Sequence, residues 1–465
     1  MMRASSSISV LALLIGISAW AQSPCPTQVL NPSPTESSDL VCLLPQVYGA
    51  GGLVITTYGG PLDPTHGHIA HFQSSAVNDF KAINSEIGLQ LSQVPLAAPV
   101  TGYTFQNGVF QETIGLGPVL SDRAETIGQH TVFVGANYEY FDFDKANNID
   151  LRNFGAVFQH EEEPCPNNGT IPCVPGDGPV FSKDIISTQN HLNLTVHQFS
   201  IVGTYGVNSR WDISLAVPIE QIHMNMISNA TIFNFEPPPV NHTFTSSSTV
   251  SGEKYISDSN AIFNNHQTAT GIGDIRLRNK FMVWQSDSEK SAVAVGVDAR
   301  FPTGDAYKFL GSGTWGVRPF AIFSHASRVS PHFGAGLEIN GQSILQGFVT
   351  TQPITKDHLP DVFSYNAGID TSLPGIRWLG FSADFMGNSL LSASAIQSAT
   401  FTDYVGDTHS DMQPSQSTTI NEEAVSLGAK IRASKLLIVG NCLIRTNDAG
   451  LHFKPSPLIG LSYTF

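Results

Sequence analysis

The stretch Leu458-Ile459-Gly460-Leu461-Ser462-Tyr463-Thr464-Phe465 reads as a β-strand. Ile459, Leu461, Tyr463 and Phe465 alternate with Gly460, Ser462 and Thr464. A period of two sends the apolar set to one face and the small polar set to the other. Such a face on the free edge of a soluble sheet would invite aggregation, so it needs a core or a lipid surface to meet.

The same alternation recurs upstream. Val132, Val134, Ala136, Tyr138 and Tyr140 share one face, as do Ile213, Leu215, Val217 and Ile219. Further sets are Val293 to Phe301, Phe333 to Ile339, Phe363 to Ile369 and Val425 to Ile431. Gly, Ser, Asn and charged residues mostly fill the places between. At Phe141 and Phe143 the aromatic parity switches, which marks a strand end or a bulge, and a second switch between Val196 and Phe199 reads as a bulge.

About twelve candidate strands lie between residue 130 and the end. The links alternate in length. Short ones fall at 207–210, 285–291, 326–331, 373–377 and 433–435, and longer ones at 144–190, 229–271, 303–314, 341–360, 388–420 and 446–455. An outer-membrane meander predicts this, with short periplasmic turns and long extracellular loops. A Greek-key sandwich does not. The expected fold is therefore all-β: a transmembrane antiparallel up-and-down barrel over residues 126–465. A final strand ending in Phe465 resembles the C-terminal signal read by barrel-insertion machinery, which with outer-membrane lipid is an expected partner.

Residues 1–21 read as a secretory signal: Arg3, an apolar run at 8–20, then Ala19-Trp20-Ala21. That run falls short of the roughly 20 residues a spanning helix needs. Gln22-Ser23-Pro24 before Cys25 does not form a lipobox. Residues 22–125 are Pro- and Gly-rich, with helical spacing of Val77, Phe80, Ile83, Ile87 and Leu91. They form either a periplasmic extension or a plug in the barrel mouth.

Charged residues make up 13% of the chain, against about 25% in an ordinary soluble domain. The net charge of −15 excludes nucleic acid as an expected partner, because binding it relies on Lys and Arg neutralising phosphates. Exported chains form disulfides. Cys165 with Cys173 is the first candidate pair and Cys25 with Cys42 the second, leaving Cys442 free.

Charges at alternating positions are the candidate site. Asp274, Arg276, Arg278 and Lys280 share one strand face, and Asp298 and Arg300 follow on the next strand. Glu338 and Asp384 join the inward set, with Glu139, Asp212, Glu220, Asp370, Lys430 and Arg432. Inward charges must pair or meet water. They form either a wall-stiffening network or a charged lining that sets selectivity. Phe301-Pro302-Thr303-Gly304-Asp305 with Gly311-Ser312-Gly313 is glycine-rich but lacks the order of a phosphate-binding loop. His66, His68 and His71 have metal-like spacing without Cys, and read as solvated. No G-x-S-x-G elbow is present, and His197, His325 and His332 have no evident partner. No catalytic residue, metal or cofactor is expected.

The stretches GIGDIRLRNKF, VGVDARFPTGD and GSGTWGVRPF resemble the outer-membrane barrel family named for the meta-pathway of phenol degradation. The resemblance is best over about residues 195–345 and the final strand. It implies passive uptake of small, hydrophobic or aromatic solutes. The alternative is a structural or surface-interaction barrel with a closed lumen.

Overall fold

The computed structural model describes residues 25, 37–48, 55–58, 73–92, 103–106, 109–112, 121–160, 183–235, 241–244, 255–257, 259–347, 354–373, 376–415 and 418–465. Among them, twelve strands close a single antiparallel barrel. They are β1 Val132–Ala146, β2 Ile185–Asn208, β3 Trp211–Phe233, β4 Asn260–Ile272 continued by Ile275–Gln285, β5 Ser291–Phe301 and β6 Gly316–His325. The circle continues with β7 Val329–Asn340, β8 Asp361–Leu373, β9 Ile376–Ala393, β10 Thr418–Ala433, β11 Leu436–Arg445, and β12 Leu451–Phe453 continued by Ser456–Thr464. Each strand pairs with the next, and β12 returns to β1 with Leu461 opposite Ala136. Closure satisfies the backbone in lipid, where a free edge cannot be hydrated.

The alternating apolar sets face outward, as Tyr205, Leu215, Val295, Phe333 and Leu461 do. Opposite them the inward positions are polar, for example Ser200, Thr204 and Ser214. On the longest pair this pattern reverses partway up. Below, Phe199 pairs with Ile219 and both point out. Above, Val196 pairs with Ile222, and Leu194, Val196, Ile222 and Met224 are buried inside. From Trp211 to Ile219 is eight residue steps, about 26 Å along the strand or about 20 Å of height at the usual tilt, most of a barrel's apolar band of about 25 Å. Above that band the outside is polar and the inside apolar.

This corrects the two expected irregularities. The β2–β3 register runs unbroken through Val196 and Phe199 and shifts only between Gly206 and Asn208. β1 likewise continues to Ala146, and Phe141 and Phe143 pair with Val196 and Leu194 in unbroken register, the one irregularity lying just beyond, where β12 pairs with Phe143 and Lys145 and leaves Asp144 extra. What changes at these points is the environment on each side of the wall. A bulge does occur in β4, where Ile272 faces Ile219 and Arg276 faces Ala216, leaving Gly273-Asp274-Ile275 opposite two residues.

The long links are shorter than the composition suggested, because strands extend into them. β3 reaches Phe233 and β4 begins at Asn260. The 388–420 stretch contains a hairpin, Ile396–Thr402 with Thr408–Pro414, rather than only loop.

Among the described N-terminal residues, α1 (Gln73–Leu91) matches the helical spacing, and Phe80, Ile83, Ile87 and Leu91 are buried. Cys25 and Cys42 are disulfide-bonded and Cys442 is free. Cys165, Cys173, the signal segment and His66, His68 and His71 lie outside the described residues. Leu40, Leu43, Leu44 and the α1 residues pack with Phe141, Leu194, Met224 and Phe263 of the wall in one core. Burial stabilises each such side chain by about 1.5–3 kcal/mol, which explains why the upper inward face is apolar.

Candidate functional site

The charges named from spacing fall into three polar groupings among the described residues. Each is built from a wall strand and a piece of chain folded against it.

At the end of the barrel with the short strand turns, the segment 121–131 leads into β1 and lies against the inward wall. Lys280 Nζ donates to the carbonyls of Arg123 (3.0 Å) and Glu125 (2.9 Å) and lies 3.3 Å from Asp122 Oδ1. Arg123 reaches Asp370 at 2.9 Å and Glu125 at 3.1 Å. The Ile127 amide donates to Asp212 Oδ2 (3.1 Å), and the Thr126 hydroxyl donates to the Ser209 carbonyl (2.8 Å). Ser324 donates to Glu125 Oε2 at 2.6 Å. Gly206 sits so close to this segment that a Cβ on it would fall 1.8 Å from the Gly128 carbonyl oxygen.

Mid-wall, the opposed pair Arg278 and Asp298 meets through Nε–Oδ1 at 2.7 Å and Nη2–Oδ2 at 3.0 Å. Arg318 on β6 also donates to Asp298 Oδ2 from Nε at 2.9 Å, and Arg278 reaches Asp122 at 3.1 Å. This bidentate, bridged geometry is the strong form of a charge-assisted contact.

Toward the end with the long loops, Arg276 and Arg300 stand directly opposite each other, a like-charge pair. Glu338 answers both, at 3.2 Å from Arg276 and 2.9 Å from Arg300. Arg300 also donates to Asn340 Oδ1 (2.6 Å). Asp274, in the bulge, accepts from the Gly304 amide (3.1 Å), the Ser312 amide (2.8 Å) and the Ser312 hydroxyl (2.5 Å). The glycine-rich stretch therefore does wrap an anion, and that anion is the chain's own Asp274. Gly311 is required there, since a Cβ would meet Asp274 Oδ1 at 2.4 Å.

Asp384 joins the first group through Ser121 and through His332, whose Nδ1 lies 3.7 Å from Asp370. His332 Nε2 lies 2.6 Å from Asp384 Oδ1, and Ser121 donates to the same oxygen (2.5 Å) while lying 2.9 Å from the same Nε2. His332 thus has partners that spacing could not reveal. A catalytic triad needs serine on one ring nitrogen and the carboxylate on the other. Here Ser121 and Asp384 converge on Nε2, while the carboxylate beside Nδ1, Asp370, lies 3.7 Å away, beyond hydrogen-bond distance, and is held by Arg123, so the arrangement is a tether for Ser121. His197 and His325 also have partners, Tyr138 (2.8 Å) and Ser291 (2.8 Å).

Between α1 and the 121–131 segment lies a cavity of about 240 Å³. Phe141, Phe143, Phe453, Leu443 and Leu451 line part of it, and Arg276, Arg278 and Arg318 another part. Asp274, Arg276, Arg278, Lys280, Asp298, Arg300, Glu338 and Asp384, eight of the fourteen inward charges named from spacing, lie on the inner wall in separate groups. Spacing does not single out their partners Asp122, Arg123, Glu125 and Arg318. The only available signal was the charged run Asp122-Arg123-Ala124-Glu125 just ahead of β1 in a charge-poor chain.

No curated protein matches the chain. Among solved structures, it is similar to an outer-membrane channel from Pseudomonas putida F1, at 10% identity over 74% of this chain and 98% of that one, with a TM-score of 0.37. It is also similar to a Pseudomonas aeruginosa FadL homologue (10% identity, 80% and 99%, TM-score 0.33). A third is the Ralstonia pickettii toluene transporter TbuX (10%, 73% and 90%, TM-score 0.26). Residues 231–346, from the top of β3 to the loop after β7, match the family model described as "Putative MetA-pathway of phenol degradation".

Proposed function

We propose that this protein is an outer-membrane channel for passive uptake of small, hydrophobic or aromatic compounds, and that residues 22–125 with the 121–131 segment act as its plug. The cavity between α1 and that segment carries the reading. Its aromatic lining suits a planar apolar ring, and its arginine side suits a single hydrogen-bonding end. Apolar packing holds the α1 part of the plug, whereas the 121–131 segment is held by ion pairs and hydrogen bonds, which can open and re-form. A barrel with a permanently closed lumen is the second reading, favoured by the number of contacts that hold 121–131 in place.

Proteoliposome uptake of phenol and of glucose separates them. A channel of this class admits phenol faster than protein-free liposomes do and leaves glucose outside. Met386→Trp, which fills the cavity from β9, slows phenol entry. Equal phenol entry with and without the protein would favour the closed barrel.

A further inference from the structure

The outer surface above the apolar band is unusual on β2, β3 and β4. Phe199, Ile219 and Ile272 form the last apolar row across these strands. The next rows up are His197–Gln221–Thr270 and Thr195–His223–Thr268. At the outward positions of 189–197, 221–229 and 262–270 the side chains are amides, hydroxyls, imidazoles and two isoleucines, with no Asp, Glu, Lys or Arg. The face spans about 27 Å along the strands and about 10 Å across them. A surface that meets only water carries roughly a quarter to a third charged residues. None of the described acidic residues stands at these outward positions, and Asp142, opposite Thr195 on β1, is paired with Arg152 and Lys454.

We infer that this face docks the saccharide headgroups of outer-leaflet glycolipid. The inference rests on the outer-membrane placement proposed above. Three observations lead to that occupant. The apolar row lies one step, about 6.6 Å, below the neutral polar rows, so one molecule with acyl chains and a sugar head meets both. Amides and hydroxyls pair with sugar hydroxyls without paying for desolvated charge. Absence of carboxylates removes repulsion from headgroup phosphates. At the flank, Tyr138 donates to or accepts from His197 Nδ1 (2.8 Å), and the Tyr140 and His197 rings lie 4.9 Å apart, offering flat faces against which a sugar ring can stack.

The test uses the full chain purified in non-ionic detergent. Rough-type lipooligosaccharide is the probe and phosphatidylglycerol, anionic but sugar-free, the comparison, with retention read by native mass spectrometry. Wild type retains lipooligosaccharide in preference to phosphatidylglycerol. Asn193→Glu with Asn225→Glu weakens that retention by about tenfold, through like-charge repulsion. Asn193→Gln with Asn225→Gln keeps it, and heat-modifiability reports that both doubles remain folded. Equal retention by wild type and the glutamate double overturns the inference, as does no preference over phosphatidylglycerol. So does a wild-type dimer, free of glycolipid, that the glutamates dissociate. Wild type that inserts into glycolipid-free liposomes and admits phenol, yet retains no lipooligosaccharide, overturns this inference alone and leaves the uptake reading standing.

Discussion

The ammonium of Lys280, on the barrel wall, lies 3.3 Å from the carboxylate of Asp122, on the segment that enters the lumen. The two residues are 158 positions apart, and the same ammonium holds two backbone carbonyls of that segment. Lys280→Met leaves Asp122 and Asp212 buried without this cation. Losing one partner of a buried pair costs about 3–5 kcal/mol. The expected outcome is a lower unfolding midpoint in detergent together with faster protease cleavage at 121–131. An unchanged cleavage rate would show that the segment is held by other contacts.

Arg300 behaves differently. It is 2% exposed and ties Glu338 and Asn340 behind the loop that Asp274 organises. Arg300→Ala should cost about 3–5 kcal/mol while leaving ion preference in planar bilayers unchanged. A shift in ion preference at wild-type stability would instead make Arg300 part of a selectivity element.

The helix α1 carries a pH-sensitive contact. Burial pushes the Glu86 carboxyl up to about 8, partly offset by the Ile396 amide and reinforced by nearby Glu422. A raised carboxyl keeps its proton in the folded protein after the unfolded chain has lost it. Stability from this group is therefore present at low pH and is lost as pH rises from about 4.3 toward about 8. Wild type should lose thermal stability across that window, and Glu86→Gln should lose less. Parallel pH profiles would remove Glu86 from the explanation.

The barrel seam depends on the last strand. The Phe465 amide donates to the Val132 carbonyl (2.8 Å), and its ring packs edge-on to Tyr463 at 4.7 Å. Deleting Phe465 should reduce heat-modifiable, folded protein in the membrane fraction. Wild-type amounts would show that closure tolerates its loss.

The barrel could be read in the chain because each wall residue's environment is set by its neighbours two positions away. Ile213, Leu215, Val217 and Ile219 declare the lipid face by spacing alone. The same logic failed at Phe141 and Val196, where the inside of the wall is another part of the chain rather than water. Nothing local distinguishes an apolar side chain facing lipid from one facing α1. The inward charges were legible as a set, since Asp274 to Lys280 alternate. Their partition was not, because Asp122 and Ser121 reach Lys280 and Asp384 across more than 150 positions. The aspartate inside the glycine-rich wrap was hidden for a similar reason, as it lies 30 residues before Gly304.

Topology gives a further expectation. Tyr404 and Val405, at the tip of the 396–414 hairpin, are 64% and 65% exposed, and Asn208 lies in the opposite, short turn. In a Cys442→Ser background, Val405→Cys should react with an impermeant maleimide on whole cells, and Asn208→Cys only after lysis. Labelling of both on whole cells would reverse or abolish the proposed orientation.

Phenol entry into proteoliposomes, compared for wild type and Lys280→Met, bears most directly on the plugged uptake channel. Wild type should admit phenol above the protein-free rate, and Lys280→Met should admit it faster, with glucose still excluded from wild type. Phenol entry at the protein-free rate for both proteins, each verified as folded and inserted, would contradict it.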